Sequence, residues 1–363
     1  MTASPLARLS YRASQRARFA WYLGHYIAAR RRESSVRDAA PTRQPLPDRP
    51  KLRRAIEALF EQDWRNIDEG LYAMPHDLVP NPARLARGSA RFLRDARAVA
   101  ARRDERRVRD LEPSQGDYPG YFLQNFHFQS GGYLTQESAE IYDFQVETLF
   151  NGAADAMRRQ ALVPLREAVA GRDQRRLRLL DVGCGTGRFL TFVLDNYPKL
   201  RVSALDLSPA YLDEARRALA PWRDTEFLRA NAETIPLADA SQDVVTVVYL
   251  FHELPPTVRR AVAREVARVL KPGGMLIFVD SLQFGDVPDF DGLLEAFPRS
   301  FHEPYFLSYL EEDLSALWGE VGLTQVSSTT AFLSKVSAFK KLCGKSEGPS
   351  FETATAQPPQ DEV

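Results

Sequence analysis

Residues 179–190 read LLDVGCGTGRFL. An apolar run ending in Asp181 meets three alternating glycines, Gly183, Gly185 and Gly187, and then a second apolar segment. This order predicts a buried strand, a tight turn whose backbone approaches a nucleotide-like ligand without Cβ interference, and a helix. Outward from it, LRLLDV, RVSALDLS, EFLRAN, DVVTVVYL and GGMLIFVDS read as strands, and RFLTFVLDNY, PAYLDEARRALA and TVRRAVAREVARVL as helices between them. Strands alternating with helices imply right-handed crossovers and an α/β, doubly wound, mainly parallel sheet. TQVSST and SKVSAFKK add two closing strands, one of them antiparallel.

The loop also says which ligand it suits. A dinucleotide fingerprint needs a small residue at the sixth position from the first glycine, where this chain has Arg188, a bulky cation expected to crowd the helix–strand contact. Asp181, two residues before Gly183, would repel a pyrophosphate but suits a cationic ligand. S-adenosylmethionine carries an ammonium and a sulfonium and no phosphate. About 20 residues on, the second strand ends in Asp206, where an acid receives ribose hydroxyls, a feature shared with NAD enzymes. Leu207 follows it, Asn231 could meet the adenine edge, Ala232 could offer a backbone N–H, and Tyr249 ends the strand DVVTVVYL. Asn231 reads equally well as a turn residue.

LLDVGCGTG, ALDLSPAYLDEAR, NAETIPLADASQDVVTVV and ARVLKPGGMLIFVD occur in this order. Together they resemble a class I S-adenosylmethionine-dependent methyltransferase of the ubiquinone/menaquinone-biosynthesis C-methyltransferase type, over about residues 176–340. The resemblance implies a Rossmann-like sheet of seven strands, S-adenosylmethionine as cofactor, and in-line methyl transfer. One departure is Asn231, where the family often has Asp. Residues 1–135 lie outside the common domain and read as a helical N-terminal region and lid, 136–343 as the methyltransferase domain, and 344–363 as a disordered tail poor in apolar residues.

Ligands of open α/β sheets sit at the carboxyl ends of the strands. The segment FHELPP, after DVVTVVYL, therefore brings His252 and Glu253 to the site, and a second FHE, in SFHEPYF, offers His302 and Glu303. His252 could take a proton from a hydroxyl or an acidic carbon, with Glu253 or Glu303 orienting it. The plainer alternative has Glu253 capping the next helix and His302 in a loop. The spacing is far from a local metal motif, so no metal is expected. The aromatic stretch YFLQNFHFQSGGYL at 121–134, with its Gly131–Gly132 turn, supplies lid candidates Tyr121, Asn125, His127 and Tyr133, joined by Tyr142. The alternative is a small aromatic core. From about Gln136 a long helix is expected, with Tyr142, Val146, Leu149, Phe150, Ala153 and Met157 on one face.

The remaining features narrow the function. The 363 residues contain 48 Lys+Arg and 48 Asp+Glu, so the formal net charge is zero. No basic stripe points to nucleic acid. The expected partner is a small-molecule or lipid-like acceptor, with oligomeric state left open. Only Cys184 and Cys343 are present, which fits a reducing, cytoplasmic setting. No acid precedes Glu33, while Arg8, Arg12, Arg16, Arg18 and Arg30 to Arg32 do. That start also admits an organelle transit segment or a peripheral membrane contact through residues 18–32. Residues 33–50 read as a linker, followed by helical patterns interrupted near 74–82 and 112–120. Two other functions stay open: a non-catalytic interaction protein that keeps the cofactor fold, and an NAD-dependent oxidoreductase, which Arg188 and Asp181 disfavour.

Overall fold

The apolar run before the glycines becomes the centre of a sheet. The computed structural model describes residues 4–31, 42–109, 111, 118–222 and 225–342. In it β1 (Arg178–Val182) pairs in parallel with β2 (Arg201–Asp206) on one side and β4 (Gln242–Val248) on the other. β3 (Thr225–Arg229) lies beyond β2, and β5 (Leu270–Ser281) beyond β4, again in parallel. β7 (Ser334–Lys341) runs antiparallel to β5, and β6 (Leu323–Ala331) closes that edge antiparallel to β7. The order β3-β2-β1-β4-β5-β7-β6 is the seven-stranded, mainly parallel Rossmann-like sheet expected, with the last hairpin supplying the one antiparallel strand, β7. Strand order reverses at β1, so a crevice opens beyond the ends of β1, β2 and β4.

Helices cover both faces. The N-terminal ones are α1 (Pro5–Arg30), α2 (Arg49–Asp68), α3 (Pro82–Asp104), α4 (Gln136–Leu149), α5 (Ala154–Arg159) and α6 (Leu162–Val169). Between and after the strands come α7 (Arg188–Asn196), α8 (Pro209–Leu219), α9 (Pro256–Val269), α10 (Asp291–Phe301), α11 (Phe306–Leu310) and α12 (Leu314–Gly319). Side chains of β1 alternate between two cores, as the period of two requires. Leu180 and Val182 pack with Val262 and Val266 of α9 and Trp318 of α12. Leu179 packs with Leu190 and Val193 of α7, Leu212 of α8, Tyr11 of α1 and Trp64 of α2.

The first helix is therefore part of the body. Tyr11 and Tyr22 are buried, and Arg18 pairs with Glu147 and Asp155 at 2.9 Å each. Asp63 of α2 receives Arg159 through Nε at 3.0 Å and Tyr72 at 2.7 Å, and also the Tyr11 hydroxyl, which ties α1, α2 and α5 together. Within residues 18–32 the large apolar side chains left outward are Trp21 and Ile27. Among the described residues no helix is long and apolar enough to cross a membrane.

Two sequence expectations change. The long helix from Gln136 stops at Leu149, because Asn151 and Gly152 adopt left-handed φ of 52° and 83°. A Cβ on Gly152 would stand 3.1 Å from the Arg18 backbone, so the α1 contact breaks the helix there and α5 starts anew. Arg188 does not crowd the sheet; it reaches Asp155 and Asp77. The expected disordered tail, with Cys343, lies outside the described residues, as do much of the linker and 112–117.

Candidate functional site

The glycine loop is held by the strand beside it. Gly183 N and Cys184 N both donate to Leu205 O at 2.9 Å. One Asp206 oxygen accepts from Gly185 N at 2.8 Å and the other from Ser208 N at 2.8 Å, so the carboxylate at the end of β2 shapes the loop after β1. Each oxygen keeps a further lone pair for a ligand hydroxyl. Gly183 sits at φ +73°, a conformation that strains any residue with a Cβ. Asp181 is buried and accepts from Thr246 Oγ1 at 2.6 Å. Burial pushes its carboxyl up to about 7, against the Thr246 bond, with Asp206 adding to the rise.

One cavity gathers most of the expected cofactor residues. Asp181, Gly183 and Gly185 line its floor, and Asp206, Leu207, Asn231, Ala232 and Tyr249 its sides. Gly187 is absent from the wall. Its role is packing, since a Cβ there would lie 3.2 Å from the Ala215 backbone of α8. It, not the sixth position, is where a small residue permits close approach. Asn231 is also the turn residue considered above, its oxygen accepting from Glu233 N at 3.0 Å. Tyr249 leaves β4 with φ +55° and bonds Ser334 Oγ at 2.7 Å.

The wall includes a cation that the sequence reading overlooked. Arg158 of α5 is buried, lines the cavity, and pairs with Asp155 at 3.2 Å. The available signal was a pair of arginines, Arg158 and Arg159, inside a run of small and apolar residues. Such cations are buried only with partners.

The aromatic stretch closes the other side. Tyr121, Tyr133 and Tyr142 line the cavity, as do Phe122 and Phe126. Tyr121 donates to Glu233 Oε1 at 2.7 Å. Phe126, Tyr133 and Tyr211 also form a small aromatic core, so the wall and the core are the same residues. Asn125 and His127 do not line this cavity; Asn125 is buried and donates to Gln129 O at 3.2 Å.

The two FHE segments meet. Glu253 ends a short 3-10 turn after β4, lines the cavity, and accepts from the Tyr133 hydroxyl. It does not cap α9, whose N-terminus has no side-chain cap. Glu303 follows α10, is buried, and neither of its oxygens has a hydrogen-bond partner. His127, in a left-handed conformation with φ 57°, brings Nε2 to 3.1 Å from Glu303 Oε1. One ligand atom each from His127, Glu253 and Glu303 lies within 4.8 Å of the others, a spacing that could hold a divalent cation. The sequence separation that argued against a metal set is bridged by the fold.

Burial dominates the titration here. It pushes Glu253 up to about 7, opposed by His252, and Glu303 well above the usual carboxylate range. It pushes His127 down to about 3, so that imidazole is neutral. His252 differs. Burial acts against its charge, but Asp280, 2.5 Å from Nδ1, carries it up to about 9. Its ring packs against Phe306 and Tyr309 and is not part of the cavity wall. Asp280 thus favours the charged imidazolium over the neutral form that the base anticipated above requires. His302 caps α10 at φ 46°, with Nε2 3.1 Å from the Gln124 side chain.

Comparison with known proteins bears on the same segments. Residues 179–274 match a family model described as a methyltransferase domain. The chain is 36% identical over 176 residues to a malonyl-[acyl-carrier protein] O-methyltransferase of Enterobacter lignolyticus, covering 47% of this chain and 65% of that protein. It is 29% identical over 200 residues to a demethylmenaquinone methyltransferase of Lactococcus lactis, covering 48% of this chain and 77% of that one. Among solved structures, a Burkholderia thailandensis 1,6-didemethyltoxoflavin-N1-methyltransferase is 19% identical with a TM-score of 0.40, covering 55% of this chain and 86% of that one. The chain thus spans just under two thirds of the first of these relatives.

Proposed function

We propose an S-adenosylmethionine-dependent enzyme that methylates a small-molecule acceptor, a reading supported by the match of residues 179–274 to a methyltransferase domain. The observation that carries this reading is the single cavity shared by the glycine loop, Asp181 and Asp206 on one side and Glu253 on the other. A buried carboxyl at Asp181 with one bonded oxygen fits a cationic ligand, as the ammonium of S-adenosylmethionine would be. Arg158 would meet its carboxylate, Asp206 the ribose, and Asn231 with Ala232 the adenine edge. When bound, the cofactor supplies an electrophilic methyl group on a sulfonium, a good leaving group.

The chain's own residues then have three tasks. The aromatic wall of Tyr133, Tyr142 and Phe126 excludes water from the methyl end. Glu253 takes the proton that the acceptor loses, since its carboxyl lines the cavity and its pKa is near neutral. His252 and Asp280 position Glu253: Asp280 accepts from Phe251 N at 2.8 Å and fixes the turn that carries it. A cytoplasmic enzyme is part of the proposal, supported by the free, buried Cys184. Of the relatives named above, one is a malonyl-[acyl-carrier protein] O-methyltransferase and the other a demethylmenaquinone methyltransferase, and the second is in keeping with an acceptor that has an apolar body. The packed α1 favours a structural over a membrane-facing role for residues 18–32.

Calorimetry with S-adenosylhomocysteine tests the cofactor half of the proposal. Asp206→Ala should weaken binding at least about tenfold, because it removes the ribose acceptor and loosens the Gly185 amide together. Wild-type protein that binds no S-adenosylhomocysteine would instead favour the non-catalytic scaffold. Unchanged affinity in a folded Asp206→Ala would put the ribose elsewhere.

A further inference from the structure

His127, Glu253 and Glu303 come from three separate segments and bring three ligand atoms within 4.8 Å of one another. The proposed methyl transfer uses only Glu253 of these. Glu303 carries the argument. Its side chain is fully buried, and neither of its oxygens has a hydrogen bond. A buried carboxyl without a donor is costly, so a partner from outside the chain is implied.

The spacing says what that partner is. His127 Nε2 stands 3.1 Å from Glu303 Oε1 without forming a hydrogen bond. Two atoms each about 2.1 Å from one ion lie about 3.0–3.4 Å apart at octahedral or tetrahedral angles, and about 4.2 Å apart on opposite sides. The cluster is therefore near the size of a coordination shell, and small side-chain rotations close the difference. His127 sits at φ 57° and Phe128 after it at φ 56°. Left-handed backbone of this kind persists only where the surrounding structure imposes it, and the His127 ring is fixed edge-on to Phe297 and Phe301.

Charge fits as well. His252 Nε2 is 3.9 Å from Glu253, but Asp280 lies 2.5 Å from its Nδ1, so that pair is neutral as a unit. Ionised Glu253 and Glu303 then carry two negative charges, which a dication balances. The Tyr133 hydroxyl bonds Glu253, and a carboxylate has about four lone-pair sites, so ligation leaves room for the proton of an acceptor.

We propose that His127, Glu253 and Glu303 bind one divalent first-row cation of the Mn²⁺ or Zn²⁺ kind. One imidazole with two carboxylates suits these ions, whereas Ca²⁺ takes about six to eight oxygens and Mg²⁺ keeps several waters. Three protein ligands leave at least one position for water or a substrate oxygen. Glu253 also lines the cofactor cavity, so the ion stands at its wall. The site goes beyond the methyl-transfer reading and does not depend on it.

Protein stripped with EDTA and then freed of chelator is titrated with Mn²⁺, and the EPR signal of free Mn²⁺ is followed. Wild type should take up one equivalent, and Zn²⁺ should displace it. Glu303→Gln keeps the shape, and His127→Asn keeps a residue that tolerates left-handed backbone. Each should raise the Mn²⁺ Kd at least about tenfold. Glu57→Gln, at an exposed acid of α2, should change nothing. Pulsed EPR of the loaded wild type should show one imidazole nitrogen coupled to the ion, a readout that needs no variant. No uptake by wild type, no nitrogen coupling, or undiminished uptake in either ligand variant overturns the site. S-adenosylhomocysteine calorimetry on the same protein tests the methyl-transfer reading separately.

Discussion

Two clusters of buried charge flank the cofactor cavity, and they are built on opposite rules. Behind the glycine loop, Asp155 is met by Arg18 at 2.9 Å, Arg158 at 3.2 Å and Arg188 at 2.6 Å, while Glu147 pairs with Arg18 and Asp77 with Arg188. Each carboxylate there has an arginine. At the other end, Glu253 and Glu303 share their surroundings with His127, which burial keeps neutral, and with His252, whose Nε2 is 3.9 Å from Glu253, while among the described residues no arginine or lysine salt bridge to them is formed. The first cluster is an arginine-paired unit that welds α1, α5 and α7, although Glu147 Oε2 is left without a hydrogen bond. Among the described residues the second has only histidine and tyrosine neighbours, and the Glu303 oxygens lack a hydrogen bond. Buried groups left unsatisfied by their own fold are the better guide to chemistry.

The contrast can be broken most severely at Glu253. Glu253→Gln keeps the shape but removes the proton acceptor, and turnover should fall by about 10²–10⁴ with S-adenosylhomocysteine affinity held. Tritiated-methyl transfer to extract from a strain lacking the protein measures the first and calorimetry the second. Turnover that survives would mean the acceptor ionises unaided. In the arginine-paired cluster the large effect is on stability. Asp155→Ala removes the carboxylate that Arg158 pairs with and one of two from each of Arg18 and Arg188, and should cost about 3–5 kcal/mol in urea unfolding, whereas a loss below about 1 kcal/mol would show the cluster to be solvated in practice.

His252 offers a pH test of a pair that resembles the arginine-paired cluster. Its folded pKa, about 9, lies above the unfolded value of about 6.5. The folded state therefore binds the extra proton between those values, so its stabilising contribution is complete below pH 6.5 and lost as pH rises toward 9. The stability difference between wild type and His252→Gln should shrink across that window. A difference that is flat with pH would mean the imidazole is neutral in the folded protein.

The smallest effect is expected at Glu303, and it sharpens the comparison most. Glu303→Gln exchanges a buried ionisable group without a hydrogen bond, whose nearest ionisable neighbour is His127 Nε2 at 3.1 Å, for a neutral one of the same size. Stability at pH 7 should stay within about 1 kcal/mol of wild type or rise, unlike the loss at Asp155. A loss of several kcal/mol would show that Glu303 is already paired within the fold.

Legibility in the sequence followed the same divide. Strand β1, the loop and helix α7 are contiguous, so periodicity and glycine spacing revealed them, and Asp206 was found because it ends the next strand. Gly187 was assigned to the ligand although it serves helix packing, because spacing cannot tell which neighbour a glycine makes room for. Arg158 went unread because a buried cation is recognisable only by its partners, and those come from α1 and α7. His252 looked like a base because its residue type suggests one, while Asp280, at the end of β5, decides its charge.

The amino-acid sequence by itself determined the doubly wound sheet and the glycine loop that follows its first strand, since both depend on residues close together in the chain. Tertiary structure alone decided that Glu253 and Glu303 share one cluster with His127. Those residues come from three segments separated by more than a hundred positions in one case, and no local propensity encodes their meeting. Their protonation follows burial and neighbours, and both exist only once the chain has folded.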